Sequence, residues 1–420
     1  IGGRGEKTAS LTLNRATDTT RQPGSTFKIV STYAPALNEL GMSLATTFED
    51  EPCNYPSGQP VKNASGSYSG TTTIRTAIRN SINVVAVKCL EQVTPELGLQ
   101  YLDNFGFSTL AHGTEADTDA NGNVYTDANL PMALGGLTYG ITNIDLCAAY
   151  ATIANSGNYI KPVYYTKILD HNGNVLIENT SAEKSVIKES TAFLLTSAME
   201  DVVQQGTGTA CQLDNMAVAG KTGTTDQYND LWFAGFTPYY TCVVWSGYDD
   251  NQKIPDDARN FHKNLWRKVM SRIHEGLEYR DFQQPSSVEK ISICSETGLL
   301  PRTGCPVIEE YFDVGTVPTE YCDQHFYEIP DEETEGELVL DPDLTQTPDD
   351  PNNPGTPEEP VIPDNPDNTG GDGTGGDGTG GDGTGGDNTG GDNTGGDGTG
   401  GDYTGGDNTG GEGTDDIVYY

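Results

Sequence analysis

The stretch Arg21-Gln22-Pro23-Gly24-Ser25-Thr26-Phe27-Lys28 decides how the chain is read. Pro23-Gly24 is a breaker pair, and residues 25–40 behind it carry a helical pattern. Ser25 then falls in the first turn, at the positive end of the helix macrodipole. Lys28, three residues on, shares its face and lies within side-chain reach. A hydroxyl and an amine placed this way suit a nucleophile and its base. A serine cap followed by a solvent lysine fits the same letters, and Ser-x-x-Lys by itself is common.

Two further short motifs lie downstream. Ser81-Ile82-Asn83 interrupts the helical apolar spacing of residues 74–93, and alone it reads equally well as an ordinary polar break. Lys221-Thr222-Gly223-Thr224 sits in a small-residue strand, residues 216–225. There Gly223 removes a side chain where another backbone can approach, or simply marks a bulge in an edge strand. Residues 231–237 and 239–248 are β-branched and aromatic, as strands are. Residues 141–155, 190–203 and 258–278 carry helical patterns. A cluster of strands flanked by helices predicts an α+β layer architecture with an antiparallel sheet.

Bulk properties exclude several classes. The 420 residues carry a net charge of −39, unevenly spread. Residues 331–420 hold 24 acids and no Lys or Arg, which leaves 62 − 24 = 38 acids against 23 bases before them. No basic stripe suggests nucleic-acid binding, and no apolar run is long enough to span a membrane. The sequence opens on Ile1 without a signal-type segment and reads as part of something longer, where an anchor is expected. Eight cysteines are too few for a disulfide scaffold. Cys89, Cys147 and Cys242, in apolar surroundings, read as buried free thiols.

Ser-x-x-Lys, Ser-x-Asn and Lys-Thr-Gly, in this order and separated by 56 and 140 residues, are jointly far less common than any one of them. Together they resemble the signature of the penicillin-binding protein and β-lactamase superfamily. Residues 21–28 resemble the active-serine motif of class A penicillin-binding proteins. Gln205-Gly206-Thr207-Gly208-Thr209-Ala210 is similar to a family turn, and residues 221–225 with 230–238 to the paired strands that wall the site. The resemblance runs from about residue 2 to 279, more loosely to 325, and stops before the tail.

That resemblance implies a β-lactamase/transpeptidase-like fold and a serine D,D-transpeptidase acting on D-Ala-D-Ala stem peptides outside the cell membrane. It implies Ser25 as nucleophile, Lys28 as its base, and Ser81 as proton relay to the departing D-Ala. Asn83 would hold the substrate backbone and Lys28, while Lys221, Thr222 and Thr224 grip the terminal carboxylate along the Gly223 strand. The backbone N–H groups of Ser25 and Thr224 would form the oxyanion hole. Lys28 must be neutral to take a proton, and both burial and a facing Lys221 favour that. No cofactor and no metal is called for. Expected partners are stem peptides, lipid-linked glycan strands and β-lactams; a glycosyltransferase domain and membrane anchor would precede this segment. The middle motif lacks the Asp of Ser-Asp-Asn, and no Glu between Ser25 and Lys221 has Asn four residues on. Both departures argue against a class A β-lactamase. A D,D-carboxypeptidase or a β-lactam sensor domain remains open.

The expected organisation is a transpeptidase domain over 1–280, a small Cys-containing appendage over 281–327, an acidic Pro-rich linker over 328–368 and a Gly-Gly-Asp-Gly/Asn-Thr repeat tail over 369–420. The tail has almost no apolar residues and is expected to be a disordered spacer, dispensable for chemistry. Within the appendage Cys305 and Cys322 are expected to pair, leaving Cys294. A metal site from Cys294, Cys305, Cys322 and His325 is the competing reading, and three free thiols the remaining one.

Overall fold

The computed structural model describes residues 12–325 and the backbone of Val418–Tyr419. The linker and almost all of the repeat tail lie outside the described residues. The exception departs from the expected unstructured tail: Val418–Tyr419 pairs antiparallel with the Thr241–Gly247 strand, Ser246 opposite Tyr419. A Val-Tyr pair has the β-propensity that the Gly-Asp repeats before it lack.

The three strands expected from β-branched and aromatic runs are Ala219–Thr224, Asp230–Phe236 and Thr241–Gly247. They pair antiparallel, with Ala219–Thr224 at one edge of the sheet. Every residue of Asp230–Phe236 is buried. Alternate side chains explain why. Trp232, Ala234 and Phe236, with Val243 and Trp245, enter the main core beside the helices Asn143–Ala154 and Glu189–Gln204. Phe233 and Val244 face the other way, onto Trp266 and Met270 of the helix Phe261–Ile273. Phe233 meets Trp266 edge to face at 4.9 Å, and the Trp266 indole donates to Cys242 O. The result is the expected α+β arrangement, a sheet covered by helices on both faces.

Residues 25–40 are helical but not uniformly α. A 3₁₀ turn, Gly24–Thr26, runs into a π-helical turn, Lys28–Tyr33, and then into the α-helix Ala34–Glu39. Pro35 has no N–H to return to Ser31, so the regular ladder is broken there, and the Ala34 N–H reaches back to Ile29 O instead. The expected break at Ser81 separates the helices Ile74–Asn80 and Asn83–Val93. Pro95–Asn104, capped by the Thr94 side chain, adds a helix that the sequence reading passed over. The small antiparallel strand pair Thr47–Asp50 and Gly70–Thr73 is a further element outside the sequence expectations.

Residues 288–313 form an antiparallel hairpin, Val288–Cys294 with Val307–Asp313. It docks on the helical body through a buried ion cluster. Arg75 donates from Nε and Nη2 to both carboxylate oxygens of Glu310 at 2.6 Å, and from Nη1 to Asp201 at 2.9 Å. Tyr311 meets Phe193 edge to face at 5.2 Å. All eight cysteines are free thiols, so the expected Cys305–Cys322 disulfide is not formed. Instead both sulfurs turn toward Cys294 and His325. Cys89 is buried, while Cys147 and Cys242 are only half-buried.

Glu310 is 1% exposed, so removing its partner leaves a carboxylate with no water to solvate it. Arg75→Met is expected to lower stability by about 3–5 kcal/mol. The double variant Arg75→Met/Glu310→Met should recover much of that. Urea unfolding of the three proteins measures it. A single variant as stable as the parent would show that the cluster does not hold the hairpin.

Candidate active site

The serine turn is held by backbone constraints before any chemistry enters. Gly24 has φ +55°, and a side chain there would meet Thr224 O at 2.7 Å. Gly223, on the facing strand, would put a β-carbon 2.5 Å from Pro23 O. Only two glycines let the turn and the strand approach this closely. The Trp232 indole donates to Gln22 O at 2.9 Å, and Tyr150 OH to Thr26 O at 2.8 Å. Ser25 is thereby fixed, half-exposed, beside the end of the Lys-Thr-Gly strand.

Ser81 owes its position to an unusual backbone. It caps the Ile74–Asn80 helix in the left-handed region, φ 58° and ψ 42°. A non-glycine residue in this region costs conformational energy, and here it carries the hydroxyl out of the helix line. Lys28 Nζ donates to Ser81 O at 2.7 Å and to Asn83 Oδ1 at 2.6 Å, with Ser81 Oγ 3.3 Å away. Lys221 Nζ donates to Ser81 Oγ at 2.8 Å and to Thr222 O at 3.1 Å. Both lysines are fully buried. The structure therefore gathers Lys28, Ser81, Asn83 and Lys221 into one bonded group, with Ser25 and Thr224 on the cleft beside it.

Burial dominates the electrostatics. Loss of water, and then the neighbouring Lys221 ammonium, hold Lys28 well below the ordinary lysine value. Burial brings Lys221 down to about 7. Two ammonium groups on one hydroxyl repel, so the pair favours carrying a single charge. A neutral Lys28 suits its contacts. It has two N–H groups for the two carbonyl oxygens and a lone pair left to accept a proton.

Two cavities meet at Ser25. One of about 630 Å³ is lined by Gln22, Tyr55, Tyr125, Asp127 and Thr138. The other, about 520 Å³, is lined by Lys62, Ser81, Thr207, Thr222 and Arg259. Ser25, Asn83, Thr224, Thr225 and Asp226 line both. Thr207, from the Gln205–Ala210 turn, bonds Thr222 hydroxyl to hydroxyl at 2.7 Å. The sequence reading missed Asn63. Its buried side chain accepts from the backbone N–H of Asn83 and Val84, donates to Asp50, and so caps the Asn83 helix from another segment. Nothing in its own sequence neighbourhood signals that role. It missed Asp127 as well, which accepts from the N–H of Ala111 and of Thr138 and ties the far wall together.

A hydroxyl in a helical first turn, a buried lysine whose surroundings disfavour its charge, a bridging serine and a strand edge make the layout of a serine acyltransferase of the β-lactamase and transpeptidase type. Comparison with known proteins agrees. The sequence profile described as "Penicillin binding protein transpeptidase domain" matches residues 4–270, and that described as "Penicillin-binding protein 1A, C-terminal domain" matches residues 284–327. The chain is 33% identical over 345 residues to Penicillin-binding protein 1A of Clostridium tetani, covering 77% of this chain and 42% of that protein. It is 28% identical over 330 residues to Penicillin-binding protein 1A/1B of Bacillus subtilis, covering 73% and 34%. Among solved structures, Penicillin-binding protein 1A from Haemophilus influenzae shares the fold with a TM-score of 0.62 at 24% identity, over 73% of this chain and 50% of that one. PonA1 of Mycobacterium tuberculosis, solved with penicillin V, does so with a TM-score of 0.57 at 24% identity, over 66% and 75%. The chain belongs to the penicillin-binding protein transpeptidase domain family. It spans less than half the length of the curated relatives it matches.

If Lys28 works as a neutral amine, arginine cannot replace it, because guanidinium stays protonated. Lys28→Arg is expected to lose labelling by a fluorescent penicillin about as completely as Lys28→Ala. Lys221→Arg should retain more, since a cation suffices there. Labelling rates of the variants decide it, and equal tolerance of arginine at both positions would reverse the two roles.

Proposed function

We propose that this segment is a D,D-transpeptidase that cross-links peptidoglycan through a serine acyl-enzyme and is acylated by β-lactams in the same step. One observation carries the reading: two fully buried lysines meet on Ser81 beside a serine held at the end of an edge strand.

In this reading Ser25 Oγ attacks the carbonyl of the penultimate D-Ala and gives its proton to neutral Lys28. The N–H groups of Ser25 and Thr224 stabilise the oxyanion. The proton passes through Ser81 to the nitrogen of the terminal D-Ala, which leaves. Lys221, Thr222 and Thr224 hold the terminal carboxylate, and Asn83 orients the peptide and Lys28. The Ala219–Thr224 strand is an edge strand beside Ser25, which supports main-chain pairing with an extended substrate. An amine from a second stem peptide then attacks the ester, returning the proton to Ser25. Water in place of that amine gives a carboxypeptidase, and acylation without turnover a sensor.

The substrates place the reaction on the outer face of the cell membrane. The chain's partial coverage of its relatives supports a longer, bifunctional protein carrying a glycosyltransferase domain that supplies glycan strands, and a membrane anchor. Within the chain, residues 1–280 would be the catalytic domain, 281–327 an appendage, 328–368 a linker and 369–420 a spacer.

Ser25→Ala is expected to abolish covalent labelling by penicillin while leaving the unfolding free energy within about 0.5 kcal/mol of the parent, as a half-exposed substitution usually does. Released D-Ala should rise when an acceptor amine is added, with a matching amide product. Undiminished labelling of Ser25→Ala would remove the nucleophile. Release indifferent to the amine would favour the carboxypeptidase, and no release at all the sensor.

A further inference from the structure

The appendage after the catalytic domain holds a second constellation that acyl transfer does not use. Cys294 ends the strand Val288–Cys294, and Cys305 stands two residues before the strand Val307–Asp313. Cys322 follows a bridge between Leu300 and Tyr321, and His325 comes three residues later. Their spacing is Cys-x10-Cys-x16-Cys-x2-His. The three sulfurs and a ring nitrogen of His325 all lie within 4.8 Å of one another.

We propose that Cys294, Cys305, Cys322 and His325 bind a structural zinc ion. Three thiols and an imidazole are a donor set of structural zinc sites. Zn–S and Zn–N bonds of about 2.3 and 2.0 Å place tetrahedral ligand atoms roughly 3.5–3.8 Å apart. His325 Nδ1 is 3.5 Å from Cys294 Sγ and 3.2 Å from Cys322 Sγ, close to that spacing before any metal draws them together. The other ring nitrogen, Nε2, is 2.9 Å from Glu296 Oε2. A carboxylate on the far nitrogen fixes ring orientation and tautomer, the usual outer support of a metal-bound histidine. Cys305 Sγ accepts from the Arg302 N–H at 3.3 Å, and N–H donation to sulfur stabilises a thiolate.

The backbone is built to present these atoms. Gly298 N–H returns to Cys294 O, Cys305 N–H to Arg302 O, and Cys322 N–H to Leu300 O. Each cysteine thus sits in a short hydrogen-bonded turn or bridge that aims its sulfur inward. Cys294 and Cys322 are buried, Cys305 and His325 half-buried. With four protein ligands the coordination shell is closed, which makes the site structural rather than catalytic.

A disulfide explains less. One bridge uses two sulfurs and leaves the third thiol, the imidazole and its carboxylate converging on it without a purpose. Arg75–Glu310, Tyr311 and Val288 fasten one part of the hairpin to the body, but its cysteine end also needs a fastener. Its own core cluster is only Ile293 and Phe312 against Ala45 of the body, with Ile291 and Val317 at its margin. A segment this short buries too little to hold itself, and metals commonly make up the difference. The Cys294–Leu299 turn packs directly on the body: a β-carbon at Gly298 would come within 2.3 Å of Ala45 O. Zinc would hold that turn in place.

The test is elemental analysis of the full chain purified without chelator, once with and once without reductant, beside Cys294→Ser, His325→Ala and the control Cys89→Ser. Stoichiometric zinc in the parent and in Cys89→Ser, lost or sharply reduced in the other two, is the expected result. Cobalt exchanged into the parent should give the visible bands of a tetrahedral site and thiolate charge transfer. That readout needs no variant to fold. Chelation should expose residues 284–327 to protease while Ser25 still takes up penicillin. Absence of zinc in both preparations, or a Cys305–Cys322 disulfide that forms in preference to metal, would overturn the proposal. Neither result bears on the acyltransferase reading.

Discussion

Two buried lysine ammonium groups repel each other across one hydroxyl, and the rest of the cleft depends on that conflict. Lys28 comes from the helix behind Ser25 and Lys221 from the sheet's edge strand, and both point at Ser81. Moving a full charge from water into such surroundings costs several kcal/mol, so one group gives up its proton. The geometry favours Lys28. Its lost charge leaves two N–H bonds to carbonyl oxygens intact, whereas Lys221 remains near Thr222, where an anionic substrate end would restore its proton.

That constraint accounts for the strained parts of the backbone. Ser81 holds a left-handed conformation that places its hydroxyl between the two amines. Gly24 and Gly223 let two chain segments touch, so Ser25 and Thr224 stand side by side. Asn63 arrives from a loop to cap the Asn83 helix, which leaves the Asn83 side chain to face Lys28. The Ile74–Asn80 helix that ends at Ser81 also carries Arg75, whose guanidinium is clamped by Glu310 and Asp201. The appendage and Ser81 are thus fastened to opposite ends of one short helix.

Much of this was legible in the sequence because it is local. Strand alternation around Trp232 and Phe233, the break at Ser81, and the small residues around Lys221 each write their structure into neighbouring letters. Motif order then linked three distant segments. The parts that stayed hidden are those decided by tertiary context. The π turn at Lys28–Tyr33 follows from Pro35 inside a packed helix, and Asn63 and Asp127 act through bonds to segments remote in sequence. The Cys305–Cys322 pairing was expected from an extracytoplasmic location, which says nothing about Cys294, brought beside them at the end of the partner strand of the hairpin. The Cys322-x2-His325 spacing was the sequence signal for the cluster that the structure brings together.

The protonation state of Lys28 is the claim on which the catalytic account stands. It is read most directly by carbon-13 NMR of lysine side chains in the resting protein, with Lys28 and Lys221 assigned through single variants. Lys28 should gain its proton only well below the ordinary lysine value of 10.5, because burial and the neighbouring Lys221 disfavour its charge. A Lys28 signal that titrates near 10.5 would contradict the account, because the base assigned to Ser25 would then have no lone pair to offer.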